Sequence, residues 1–208
     1  MRGVNGVLAA VVLGAALVGC SSGSDKSSEP AGKAAEGQKV LPQRLAAPTQ
    51  AQKDWEAKPA AAEPGSDAPV SQKLAYEIET ATLKLAHAPG KTTATCPKDV
   101  KAKNGERVTC TSTYEGERLT WTVTFGGDGW LPGSTSFQAV PDTGLLTKVG
   151  VAKLLYGNYT PKFVACNNIP DVAKVPLNQP SKYKCAVDKE EEMYAQAVRS
   201  TDAGPRAF

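Results

Sequence analysis

Five cysteines and a single histidine are the residues of this chain best suited to chemistry. Catalysis needs a nucleophile, a base or a metal brought together in one place. His87 stands alone, at the end of a helical pattern, where an imidazole meets the last carbonyls and the negative end of the helix dipole. That placement predicts an end-of-helix role and not proton transfer. The sequence contains no Gly-x-Ser-x-Gly elbow and no phosphate-binding glycine loop. Gly126-Gly127-Asp128-Gly129 is glycine-rich but lies between two strand-like runs. A hairpin loop accounts for it, since a phosphate cradle needs a helix N-terminus to follow. Acidic residues are frequent, yet no spacing singles out a carboxylate pair. The cysteine spacings are far from the closely paired pattern of structural zinc sites. The expectation is a non-enzyme with no catalytic residue, no cofactor and no metal.

The odd cysteine has a context of its own. Arg2 is followed by an unbroken run of Val, Leu, Ala and Gly from Val7 to Val18. Such a run is too short to cross a ~30 Å hydrocarbon core as a helix, which takes about 20 residues. A basic start, a short apolar stretch and small residues at its end describe a signal peptide. The stretch closes on Leu17-Val18-Gly19-Cys20, which resembles a bacterial lipobox. The resemblance implies diacylglycerol on the Cys20 thiol and cleavage in front of it. Acyl chains contribute ~0.8 kcal/mol per buried CH2, so two or more anchor a protein stably. Residues 1–19 are therefore expected to be a lipoprotein signal peptide. Cys20 is the expected lipidation site, the membrane is a partner through that lipid, and the address is the outer face of the cell membrane.

Setting Cys20 aside leaves Cys96, Cys110, Cys166 and Cys185. An even number in an exported chain implies disulfides. Four cysteines allow three connectivities. Sequential pairing, 96 with 110 and 166 with 185, is favoured because each pair falls inside one predicted unit. Closing a loop of about 15 residues stabilises by ~3 kcal/mol in the chain-entropy model, which matters for units of about 70 residues with marginal cores.

Residues 20–69 carry the lipidated cysteine and then a stretch that is more than half Ala, Gly, Ser and Pro. With little to bury and no sustained period, it is expected to be a disordered tether. Trp55 is its one large aromatic, either incidental or a docking residue. The remainder divides into two units, 70–141 and 142–208, with one plan: helix, first cysteine, loop, hairpin with the second cysteine. The offset between units is 70 residues for the first cysteines and 75 for the second, which suggests a duplication.

In the first unit Leu74, Ile78, Ala81 and Leu85 recur at helical steps, with Ser66, Asp67 and Pro69 in front and Pro89-Gly90 behind. Two alternating strands follow, 108–114 and 119–125, joined at Glu115-Gly116, and a third is expected over 134–140. In the second unit Asp142 or Thr143 is expected to cap a helix carrying Leu145, Val149, Ala152 and Leu155. Tyr183, Cys185 and Val187 alternate on one strand and 193–198 return, with little room for a third. The fold class is α+β: two small tandem units, each a helix packed on an antiparallel sheet of two to four strands with one disulfide.

Cys96-Pro97, Gly105, Val108-Thr109-Cys110, Gly116 and Thr122-Val123-Thr124 resemble an actinobacterial envelope domain of unknown function, numbered 4333 in its series. The likeness covers roughly residues 70–140. It implies a helix-plus-sheet fold with a disulfide between Cys96 and Cys110, and it supplies no catalytic residues. In the second unit Asn167 stands where the first has a proline, and no glycine precedes Cys185. In plan alone, two tandem helix-plus-sheet units with one disulfide each also resemble the secreted β-lactamase-inhibitor proteins.

Recognition has two candidate features. Trp130-Leu131 is an apolar pair in a glycine-rich loop, able to anchor a partner or to fold back over the open end of the sheet. Thr120, Thr122 and Thr124, with Thr109, Thr111 and Thr113, give a hydroxyl-bearing strand face. Threonine suits an exposed strand in any case, and such a face can also receive a partner strand or a glycan. Lys98, Lys101, Lys103 and Arg107 cluster as a solvated loop, and no basic stripe with interleaved aromatics points to nucleic acid. The function expected is a surface-tethered binding module whose partner is an extracellular protein or cell-wall glycan. The alternative is an inhibitor of an extracellular enzyme.

Overall fold

The computed structural model describes residues 41–128, 135–189 and 192–208; Cys20, Trp130 and Leu131 lie outside them. The N-terminal part carries β1 (Gln43–Leu45) and the short α1 (Gln50–Asp54). The long helix α2 (Val70–Ala86) precedes β2 (Thr92–Thr95), β3 (Arg107–Tyr114), β4 (Glu117–Asp128) and β5 (Thr135–Pro141). β6 (Gly144–Thr147) leads into α3 (Lys148–Tyr159), and β7 (Phe163–Cys166) and β8 (Val172–Val175) follow. The chain closes with β9 (Pro180–Lys189), β10 (Glu192–Thr201) and β11 (Gly204–Ala207).

The helix read from the spacing of Leu74, Ile78 and Leu85 is α2, and those residues form its buried stripe with Thr82, Leu83 and Ala86. It stops because His87 adopts a left-handed conformation (φ 52°) and its backbone N–H turns back to Leu83 O and Lys84 O. Capping at this end is thus done by the backbone of His87. The stripe lies on the antiparallel sheet β2-β3-β4-β5. Strand alternation sends Cys110, Tyr114, Leu119, Trp121, Val123 and Phe125 inward to meet it. The β3–β4 connection falls at Glu115-Gly116, both with positive φ (48° and 89°). That geometry is the tight turn whose twist matches a hairpin.

The second half also places a helix ahead of an antiparallel sheet, with β6 before the helix and β8, in a separate two-stranded sheet with β6, between β7 and β9. After α3, strands β7, β9, β10 and β11 are neighbours in one antiparallel sheet. Both disulfides pair sequentially: Cys96, just past β2, joins Cys110 of β3, and Cys166 of β7 joins Cys185 of the neighbouring β9. The fold is mixed α and β with mostly antiparallel sheets, as the alternation predicts.

Four expectations are corrected. The second unit does have room for a third strand after its first cysteine strand: a turn at Asp202-Ala203 brings β11 back against β10. Leu145 belongs to a strand, not to the helix, and α3 begins only at Lys148 with Thr147 as its cap. The second sheet exceeds four strands, because β1 adds to β7 as a fifth. Residues 43–57 are consequently not tether. Leu45 is 4% exposed in the second core, Thr49 and Gln52 close a reciprocal capping box on α1, and Trp55 and Ala57 pack on the first core.

The two cores meet at β6. Leu145 points into the first and Leu146 into the second, because successive strand residues face opposite ways. Its partner β8 behaves likewise, with Val172 against the first core and Ala173 and Val175 in the second. Thr147 closes the seam. Its hydroxyl accepts from Gly150 N (2.8 Å) and donates to Ala86 O (2.9 Å), so one side chain caps α3 and satisfies a terminal carbonyl of α2. All the described residues form one compact unit.

Candidate functional site

Two surfaces stand out. The first is the outer face of the β2–β5 sheet. Because Ser112 and Cys110 point inward, Thr109, Thr111 and Thr113 must point outward. Thr120, Thr122 and Thr124 do the same between Leu119, Trp121, Val123 and Phe125. The register aligns them: Thr111 faces Thr120 and Thr109 faces Thr122. β2 extends the array, with Thr93 opposite Thr113 and Thr95 opposite Thr111. Eight threonines thus form a grid, with strands ~4.8 Å apart and like-facing residues ~6.8 Å apart along each strand. The Thr93 and Thr113 hydroxyls share a 2.7 Å hydrogen bond. Val140, 44% exposed, lies opposite Thr122 on β5. Arg118 and Arg107 stand opposite Thr113 and Thr124. Of the expected binding residues, Thr122 is exposed and Thr120 and Thr124 are half-buried on this face.

The inward side of the same strands fixes which face is shown. Trp121 Nε1 donates to Ser112 Oγ (2.8 Å), Ser112 Oγ lies 2.8 Å from Thr82 Oγ1, and Thr82 Oγ1 donates to Ile78 O (2.7 Å). Each hydroxyl has one proton, so every group is satisfied when protons run Trp121 to Ser112 to Thr82 to Ile78. Tyr114 completes the inner side. Its hydroxyl reaches Pro89 O (3.0 Å), and burial first, then the neighbouring Glu115 carboxylate, pushes its pKa up to about 12.

The second surface is a cleft of about 430 Å³ between the N-terminal segment, the end of α2 and the outer side of α3. Ala47, Pro48 and Lys53 form one wall, Lys153, Tyr156 and Gly157 the other, and His87 lies between. Tyr156 holds the walls together by donating to Leu45 O (3.1 Å). Lys153 Nζ sits 5.2 Å from the centre of the Trp55 ring, a cation–π arrangement. Partial burial lowers the Lys153 pKa. Burial, then the charges of Lys153 and Arg206, hold the His87 imidazole below its ordinary value.

The sequence draws attention to His87 but not to this cleft, since its residues come from positions 47–53, 87 and 153–160. The one sequence signal for an ordered wall is the Thr49-x-x-Gln52 capping box. Among the described residues no group of three or more His, Cys, Asp or Glu side chains is placed to hold a metal ion. No family model, curated protein or solved structure matches the chain.

Proposed function

We infer that this chain is a lipid-anchored, extracytoplasmic binding module that engages its partner through the threonine face of the first sheet. The single observation behind this is the in-register threonine grid on strands whose inner sides are pinned by buried hydrogen bonds. A rigid sheet presents hydroxyls without an ordering cost at the moment of binding, which favours recognition. The partner is an extracellular protein or cell-wall glycan. Cys20 carries the anchor.

Two measurements test this. Cys20→Ala should release the protein from membranes; retention would remove the anchor. Replacing Thr120, Thr122 and Thr124 with lysine should abolish co-sedimentation with purified wall glycan or recovery of a partner protein from intact cells. Equal behaviour of the variant and the wild type would remove the binding face.

A helix followed by an antiparallel sheet with one disulfide occurs in both halves, which supports descent from a duplicated unit like the envelope domain numbered 4333. It also supports a second reading, an inhibitor of an extracellular enzyme. Absence of inhibition of secreted hydrolases at micromolar protein would eliminate that reading.

A further inference from the structure

We propose that the cleft between the N-terminal segment and α3 is a binding site for a small organic anion, a carboxylate carried on a compact apolar body. This site is separate from the threonine face and stands or falls without it.

The electrostatics are one-sided. Lys53, Lys153 and His87 line the cleft, and none of its lining residues is acidic. The ion pair among the described residues, Lys148 with Asp171, uses neither lysine. Lys153 is half-buried and lies over the face of Trp55 in a cation–π contact. Removing an ammonium from water without a carboxylate partner is costly. A ligand carboxylate that enters the cleft supplies the missing partner and forms charge-assisted hydrogen bonds. Burial lowers the basicity of both His87 and Lys153, and the charges of Lys153 and Arg206 lower that of His87 further.

Apart from the hydroxyls of Tyr156 and Thr160, the rest of the wall is apolar or bare. Ala47 and Pro48 present only aliphatic carbon. Gly157 leaves open space where a side chain would stand on α3. The Tyr156 hydroxyl is already committed to Leu45 O, so it shapes the cleft and does not compete for the ligand. A cavity of about 430 Å³ falls in the range of small-molecule sites, which combine apolar walls with a few placed polar groups. The wall is also removable in principle, since Ala47 and Pro48 are held through the three-residue strand β1 and the Tyr156 bond.

The test uses the full chain carrying Cys20→Ala, so that no acyl group is attached, with both disulfides formed. Octanoate, octanol and inorganic phosphate are titrated in parallel by calorimetry and by proton NMR of His87, the one histidine of the chain. Octanoate should bind, shift the His87 resonances and raise the His87 pKa back towards its ordinary value. Lys153→Met should weaken octanoate about tenfold or more, the loss expected for one charged hydrogen bond. Lys53→Met, on the exposed rim, provides a second variant if the first alters folding; it should weaken octanoate severalfold. Octanol binding as tightly as octanoate would overturn the anion requirement. Phosphate binding as tightly would overturn the apolar one. Octanoate binding that leaves His87 unmoved, or no binding at all, would overturn the site.

Discussion

Replacing Ser112 with alanine removes the middle of a buried hydrogen-bond chain and leaves its neighbours in place. Ser112 is 1% exposed, Thr82 fully buried and Trp121 3% exposed. Thr82 keeps its bond to Ile78 O, so the main loss falls on Trp121. Its Nε1–H donates to Ser112 Oγ at 2.8 Å and has no water to turn to. An unpaired buried donor costs about 1–3 kcal/mol. The volume change is a single oxygen, so cavity effects add little. The expected destabilisation is about 2 kcal/mol. For a body of this size the melting temperature should fall by about 4–8 °C. Urea unfolding followed by far-UV circular dichroism, with disulfides intact, measures the free energy; the slope should not change. A double-mutant cycle isolates the cause. In a Trp121→Phe background the donor is already gone, so Ser112→Ala should there cost at least about 1 kcal/mol less. A cost below about 0.5 kcal/mol, or the same cost in both backgrounds, refutes the chain. The consequence reaches the binding face. Ser112 sits between Thr111 and Thr113, and a slip of one residue would turn the threonines inward.

Leu45→Ala should cost about 3 kcal/mol, because the side chain is buried in the second core. A thermal melt unchanged from wild type would return β1 to the tether. Gly150→Ala would place its Cβ 2.5 Å from Ala86 O and 2.8 Å from Thr147 Oγ1, so it should cost about 1–3 kcal/mol by forcing the helix ends apart. Gly157→Ala meets nothing within 4 Å and should instead gain about 0.5 kcal/mol, the helix-propensity difference. Melts showing the two variants alike would contradict the seam geometry. His87 gives a pH dependence. Its folded pKa is below the ordinary value, so the unfolded chain binds the proton more tightly. Its contribution to stability is complete above about pH 6.5 and declines as pH falls towards the folded pKa. Urea unfolding between about pH 7.5 and about pH 5.5 should show a loss in wild type that is smaller in His87→Gln. Equal slopes would remove the effect.

Much of the first half can be read along the chain because its signals are local. The α2 stripe repeats at steps of three and four, the β3–β4 hairpin alternates strictly, and Glu115-Gly116 marks the turn between them. The start of α3 is not legible in this way, because what sets it is not local. Leu145 and Val149 have helical spacing, but Leu145 is drawn into the first core, while the Thr147 hydroxyl bonds a carbonyl 61 residues away. With buried Gly150, Val151, Ala152, Leu154 and Leu155 spread around its surface, α3 offers little contrast between faces. β1 has three residues, and its partner strand begins 120 positions later. An Ala- and Pro-rich composition carries no trace of that pairing.

The sequence by itself determined the cysteine pairing, the helix-before-hairpin order and the outward threonines, since each depends on neighbours within about 20 residues and on a fixed backbone period. Tertiary structure alone decided the β6 seam, the docking of 43–57 and the cationic cleft. Those features depend on which apolar surfaces remained uncovered after the local elements had formed, a quantity no window along the chain contains.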